Sequence, residues 1–251
     1  MSPALRPLIA LNGCLLPGAA PKLELRLTYA AAVMRAGGIP LAIPPLGGPE
    51  EVAALLASVD GLLLGGGDDF DTTRLDLGPV HESATLTPAA KQDWDFHLAR
   101  HAIAEGLPVL GICYGMQLLG LAEGAGFHQH LPEDLPEAGH HQGDTLHPVA
   151  IHADTKLGRL VGVERLDVVS RHHQALSNVA PPWRVCASGD AGVIEAIERE
   201  SHPFALGCQW HPELSPEGSP HDRLFHGLVD AAAQRAASRR PAVQPALSRQ
   251  T

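Results

Sequence analysis

Two short stretches carry residues whose types and spacing could do covalent chemistry. The first is Leu107-Pro-Val-Leu-Gly-Ile-Cys113-Tyr-Gly-Met-Gln117-Leu-Leu-Gly120. An apolar run that reads as a buried parallel strand meets a Gly111-Ile-Cys113-Tyr-Gly115 turn. A helical pattern then runs from Met116 through Leu121. Strand, tight Gly-x-Cys-x-Gly turn and helix is the layout of a nucleophile elbow, with sulfur as the nucleophile. The helix N-terminus that follows offers unpaired N–H groups and a positive dipole end, a setting that favours a reactive thiolate. The other three cysteines lack these surroundings: Cys186 and Cys208 lie in apolar runs and read as core, and Cys14 stays open.

The second stretch is Phe204-Ala-Leu-Gly-Cys-Gln-Trp-His211-Pro-Glu213. A cysteine nucleophile needs a base, and the base an orienting group. On an extended chain side chains two apart point the same way, so His211 and Glu213 share a face with Gln209 behind them. Pro212 fixes its own φ, biases His211 toward the extended region and suits a strand end. The residues therefore propose Cys113 as nucleophile, His211 as general base and acid, and Glu213 as the group that sets the imidazole tautomer.

Strand-like and helical runs alternate before the elbow: Pro7–Leu11, a helix near Leu25–Ala36, Pro40–Ile43, a helix near Glu50–Ala57, Gly61–Leu64, and a helix near Ala89–Glu105. This alternation predicts an α/β fold, a mostly parallel central sheet with helices on both faces. In such sheets sites form at the carboxyl ends of strands, where Cys113 would lie. After Gly139 shorter runs such as Val149–His152 and Val193–Ile197 predict a smaller antiparallel portion of the same sheet. Nothing reads as a linker, so residues 1–235 are expected to form one domain. The polar, proline-bearing stretch from Ala236 to Thr251 reads as a disordered tail.

Charge and composition narrow the function. There are 18 Lys+Arg against 28 Asp+Glu, a net charge of −10, which disfavours nucleic-acid binding. No apolar run reaches membrane-span length, no signal pattern opens the chain, and the four cysteines lack disulfide spacing. The expectation is a cytoplasmic enzyme that needs no cofactor. The fifteen histidines include His128-x-His130, His140-His141 and His172-His173, which invite a metal reading. No His-Glu-x-x-His spacing is present, and adjacent histidines point to different sides of an extended chain. No metal is therefore expected, and these histidines are read as surface or substrate-lining. Asp68-Asp69-Phe-Asp71 reads as a polar turn rather than a cation site.

Five stretches in order, Ala36–Pro44, Gly61–Asp68, Gly106–Gln117, Val169–Ala175 and Gly207–Glu213, make the chain resemble the class I (triad-type) glutamine amidotransferase superfamily. Within it the chain looks most like the gamma-glutamyl hydrolases of the peptidase C26 type, including the gamma-glutamyl-gamma-aminobutyrate hydrolases of polyamine catabolism. The resemblance implies a flavodoxin-like fold of that superfamily and places a Cys-His-Glu triad on Cys113, His211 and Glu213. It also implies an oxyanion hole from the amides of Gly67 and Tyr114, and substrate contacts at Gln117, Ser170, His172, His173 and Gln174. The chain departs from the family pattern at Gly65-Gly66-Gly67, where Pro-Gly-Gly is usual, and at Tyr114, where the hydrolase branch commonly has arginine. It departs again at Lys91-Gln92-Asp93-Trp94-Asp95 and at Phe127-His128-Gln129-His130. The implied activity is hydrolysis of a small gamma-glutamyl amine through a gamma-glutamyl thioester. The alternative is a glutaminase subunit that delivers ammonia to a separate synthetase. The implied partner is a small molecule, with room for a homodimer.

Overall fold

The computed structural model describes residues 6–239. Its centre is a nine-stranded sheet. In chain order the strands are β1 (Leu8–Asn12), β2 (Ile39–Ile43), β3 (Gly61–Leu64), β4 (Val109–Ile112), β5 (Thr145–Ile151), β6 (Arg165–Ser170), β7 (Trp183–Ser188), β8 (Ile194–Arg199) and β9 (Ala205–Cys208). The order across the sheet is β2-β1-β3-β4-β9-β8-β7-β5-β6. The first five are parallel to one another. Every pairing from β9 onward to β6 is antiparallel. The antiparallel portion after Gly139 is thus continuous with the parallel half, as the sequence predicts, although β5 starts four residues before the expected Val149.

The central strands are apolar throughout because both faces are covered. Side chains alternate between two cores: Ile9, Leu11, Leu63, Leu110 and Ile112 face one, and Ala10, Leu62, Leu64 and Val109 the other. On the first face lie α1 (Leu27–Arg35), α5 (Lys156–Val161) and α6 (Asp222–Arg239). On the second lie α2 (Pro49–Ala57), α3 (Ala89–Ala104) and α4 (Tyr114–Leu121). The strict period of two along β1, β3 and β4 is the physical reason for two cores on one sheet. Two short antiparallel pairs sit outside it: Cys14–Leu16 with Lys22–Glu24, and Gly126–His128 with Ala175–Asn178.

The C-terminal expectation needs a correction. Helix α6 continues through Arg239 and Ala236 is fully buried, so the helix and its packing extend past the expected tail start. Alanine-rich sequence favours helix, and Ala236 packs into the first core. The remainder of that tail, 240–251, lies outside the described residues. Among the described residues no helix is long and apolar enough to cross a membrane.

Candidate active site

Strands β4 and β9 are parallel neighbours, so their carboxyl ends stand side by side. Cys113 follows β4 directly, and its amide makes a last rung to the Cys208 carbonyl at 2.8 Å. His211 follows three residues past the end of β9. Topology alone therefore brings together residues nearly a hundred positions apart.

Cys113 has φ 54° and ψ −109°, a strained conformation for a non-glycine residue, and it caps the N-terminus of α4. The glycines on either side are required by close approach. A Cβ on Gly111 would lie 2.5 Å from the Gly115 carbonyl oxygen, and one on Gly115 would lie 2.1 Å from the Leu64 carbonyl oxygen. The elbow closes only because strand, turn and helix touch backbone to backbone at these two positions.

His211 Nδ1 and Glu213 Oε1 are 2.7 Å apart and both residues are buried. They do not meet along an extended chain. Pro212–Leu214 form a 3₁₀ turn capped by His211, and that turn folds the carboxylate back onto the ring. The expected pairing thus forms by a different backbone route, since Pro212 is well suited to the first position of a helical turn. Burial alone would lower the His211 pKa. Its hydrogen bonds to Cys113 and Glu213, with the charges of both, outweigh burial and raise it to about 10. Imidazolium is accordingly the favoured state of His211 at neutral pH when sulfur and carboxylate are both charged.

Gln209 Nε2 donates to Cys113 Sγ at 3.5 Å, and its Oε1 accepts from Gln117 Nε2 at 3.1 Å. Over the sulfur lies the Gly65-Gly66-Gly67 loop. The Gly65 amide donates to Asn12 Oδ1 at 2.8 Å and the Gly66 amide to the Tyr29 hydroxyl at 2.9 Å. A Cβ on Gly66 would lie 3.1 Å from His211 Cε1 and 3.8 Å from Cys113 Cβ, so the loop spans both groups. Among the described residues, the amides of Gly67 and Tyr114 donate to no protein group. Two free N–H groups beside a cysteine can receive a developing oxyanion. Asn12 also donates to Asp95 Oδ1 at 3.0 Å, and Asp95 pairs with the buried Lys91. Lys91 lies 4.9 Å above the Tyr114 ring, which stacks on Phe70 at 4.3 Å. The Lys91–Asp95 departure from the family pattern is thus a buried ion pair beneath the loop.

A cavity of 290 Å³ opens at Cys113 and His211. Its charged lining is Arg26 and Arg171 with Glu24 and Asp68; Tyr29 and the half-buried Cys14 complete that wall. Burial pushes the Cys14 thiol up, which disfavours its thiolate. Gln117, Ser170, His172 and Gln174 are buried and do not line the cavity. Gln117 donates to the Gln174 carbonyl at 2.8 Å, Ser170 Oγ meets His147 at 2.6 Å, and His172 Nδ1 meets the Gln174 carbonyl at 3.0 Å. His173 turns the other way, to Asp69 at 3.0 Å and His130 at 3.0 Å. The Ser170–Gln174 segment therefore forms the layer behind the nucleophile, and Arg171 is its member that faces the cavity.

Sequence reasoning missed Asn12, Tyr29, Arg26 and Arg171. Asn12 was findable as a polar residue at the carboxyl end of a buried strand, and Arg171 lies inside a stretch already singled out. Nothing local marks Tyr29 or Arg26.

Comparison with known proteins fits this geometry. The Peptidase C26 family model matches residues 7–213. A Mycobacterium tuberculosis protein named as a glutamine amidotransferase is 41% identical over 209 residues, covering 81% of this chain and 66% of that longer relative. The gamma-glutamyl-gamma-aminobutyrate hydrolase of Escherichia coli (strain K12) is 31% identical over 216 residues, covering 81% of this chain and 84% of the relative. Among solved structures, a GMP synthase subunit from Thermoplasma acidophilum superposes with TM-score 0.65 at 16% identity, over 94% of this chain and 98% of that one. The glutaminase domain of Trypanosoma brucei CTP synthase gives TM-score 0.62 at 17% identity, over 90% and 94%. These two show the class I glutamine amidotransferase fold.

Proposed function

The chain belongs to the peptidase C26 family, and we propose that it hydrolyses the amide bond of a small gamma-glutamyl amine, such as gamma-glutamyl-gamma-aminobutyrate. The observation that carries this reading is a cysteine on a strained elbow, touching a His–Glu pair and facing two free amides.

Cys113 Sγ attacks the side-chain carbonyl of the glutamyl group, with its proton on His211. The oxygen that becomes negative is held by the amides of Gly67 and Tyr114, which are oriented before reaction and cost no reorganisation. His211 gives its proton to the leaving amine nitrogen, and the C–N bond breaks to leave a gamma-glutamyl thioester. Water then attacks with His211 as base, the C–S bond breaks, and glutamate leaves. Glu213 holds the proton of His211 on Nδ1, so that Nε2 serves the sulfur and the amine. Gln209 steadies the sulfur by its hydrogen bond. A glutamyl group carries one α-carboxylate and one α-ammonium. Arg26 and Arg171 supply cations, and Glu24 and Asp68 anions, for that zwitterion at the cavity wall. The free cysteines suit a reducing, cytoplasmic setting.

A second reading, glutaminase action that supplies ammonia to a separate synthetase, is supported by the 41% identical relative named as a glutamine amidotransferase. Glutamate release from a panel of gamma-glutamyl amines and from glutamine decides between them. Faster turnover of the amines by the isolated chain supports the hydrolase. Turnover of glutamine alone, raised by a partner, would replace it with the second reading.

A further inference from the structure

Glu195 lies in β8, in the antiparallel half, with no exposed surface, and neither of its carboxylate oxygens has a hydrogen-bond partner among the described residues. Three imidazoles converge on its Oε1: His141 Nδ1 at 3.6 Å, His147 Nε2 at 3.7 Å and His172 Nε2 at 3.9 Å. They come from separate places, the loop before β5, β5 itself and the loop after β6. The loops are joined by a hydrogen bond from the His172 amide to the His141 carbonyl at 2.9 Å. The His141 ring lies 4.6 Å from that of His147 and 5.0 Å from that of His172.

The tautomers can be read from the outer nitrogens. His141 Nε2 faces the Ala138 carbonyl at 3.0 Å, and His172 Nδ1 faces the Gln174 carbonyl at 3.0 Å. A carbonyl can only accept, so the outer nitrogens carry the protons and the nitrogens that face Glu195 carry bare lone pairs. His141 Nδ1 and His172 Nε2 have no hydrogen-bond partner among the described residues. His147 Nε2 meets only the Ser170 hydroxyl, at 2.6 Å, which can turn to donate to it. A carboxylate and three imidazole lone pairs thus share one buried point with no donor among them except that hydroxyl. A buried arrangement of acceptors alone is costly. One proton on Glu195 would serve one histidine and leave the others unsatisfied. A single cation serves all four.

We propose that His141, His147, His172 and Glu195 bind a structural zinc ion. The ligand atoms of His141, His147 and Glu195 already lie within 4.8 Å of one another. Zinc bonds to nitrogen and oxygen are about 2.0–2.2 Å, which puts tetrahedral ligands roughly 3.3–3.5 Å apart, so closing the shell draws the wider separations in by about an ångström and brings in His172, whose Nε2 stands 3.9 Å from Glu195 Oε1 but outside that group of three. Imidazole-rich ligation disfavours magnesium and calcium, and a closed four-ligand shell is the pattern of a structural rather than a catalytic zinc. The carbonyls of Ala138 and Gln174 are the outer partners that orient two of the rings.

The site would pin the wall behind the nucleophile. His172 precedes Gln174, whose carbonyl takes Gln117, and Gln117 binds the Gln209 that touches Cys113. The Gln209 amide also donates to the Glu195 carbonyl at 2.8 Å. The four ligands are positioning residues, not catalytic ones.

The experiment is metal analysis of the full chain, followed by titration of chelator-stripped protein with zinc sulfate while the melting temperature is read. The expected content is about one zinc per chain, with three imidazole nitrogens and one oxygen in the X-ray absorption spectrum. Zinc should raise the melting temperature of the stripped protein. Glu195→Gln and His147→Ala should lower zinc affinity at least tenfold, while His81→Ala with His128→Ala, both partly exposed and outside the cluster, should leave it unchanged. Stripped wild-type protein that takes up no zinc and does not gain melting temperature overturns the proposal, whatever the variants do. So does zinc held equally by Glu195→Gln, since it then sits elsewhere. Neither readout depends on the amidase activity.

Discussion

The parallel and antiparallel halves of the sheet each bury histidines beside a glutamate, and only in the parallel half are the two hydrogen-bonded. In the parallel half the charged groups around Cys113 are joined in pairs, Asp95 with Lys91 and His211 with Glu213, and Asn12 bridges Gly65 and Asp95, although Glu213 Oε2 and the Tyr114 hydroxyl have no partner among the described residues. In the antiparallel half Glu195, His141 and His172 present unpartnered atoms to one another. Partnered groups fix a geometry before any ligand arrives, which is what catalysis needs. Unpartnered acceptors leave a position that only a cation completes. One sheet thus carries a site whose histidine and glutamate are already joined beside one whose histidines and glutamate are not.

The comparison can be broken most decisively at Cys113. Cys113→Ser should lower kcat by about 10⁴ to 10⁶ and leave the melting temperature near that of the wild type, because the chemistry and the fold rest on different contacts there. Thermal melts and glutamate release measure both. Retained activity, with alkylation of Cys14 inactivating, would move the nucleophile.

His211→Asn should approach the same loss in rate, with Glu213→Gln milder. The raised pKa of His211 also sets a sign. Its stabilising contribution is full below its ordinary pKa of 6.5 and is lost as pH rises through about 10. The wild type should therefore lose stability relative to His211→Asn across that window, and kcat/KM should fall on the alkaline side near the upper limit. Denaturant melts of the pair as a function of pH test this, and a difference that does not vary with pH would remove the Cys113–His211–Glu213 coupling.

Lys91→Met sharpens the contrast from the stability side. It leaves Asp95 buried without its cation, and breaking one side of a buried pair costs about 3–5 kcal/mol. Urea unfolding should show that loss. Activity should fall too, because Asp95 holds Asn12 and Asn12 holds the Gly65 amide.

Gln209→Ala should have the smallest effect. Losing one hydrogen bond to a charged group costs about 1.5–3 kcal/mol, roughly ten- to a hundredfold in kcat/KM. The loss should be uniform across an amine panel, since Gln209 touches sulfur rather than the leaving group. A change in the ranking of amines would place Gln209 in substrate selection.

Much of the parallel half was legible before folding. The apolar runs of β1, β3 and β4, the Gly-x-Cys-x-Gly turn and the His-Pro-Glu run are local patterns, and local patterns encode local backbone. The contact of His211 with Glu213 was anticipated, but its route through a 3₁₀ turn was not, because an extended Pro and a helical Pro share one φ. The boundary at Ala236 was missed because a polar, alanine-rich helix end and a loose tail look alike until a core packs against one side.

The histidines teach the same limit. Adjacent histidines do point apart, as expected: His140 is exposed and His141 buried, and His172 is buried while His173 turns to Asp69. Yet one member of each pair faces Glu195, which stands 54 and 23 residues further along the chain. By itself the sequence determined the nucleophile elbow, the strand and helix alternation and the family, because each depends on residues close in sequence. Only the tertiary structure decided what lines the cavity, which carboxylate the histidines face and which buried atoms lack partners. Those depend on the order in which nine strands pair, and strand order is a long-range property that no local pattern carries.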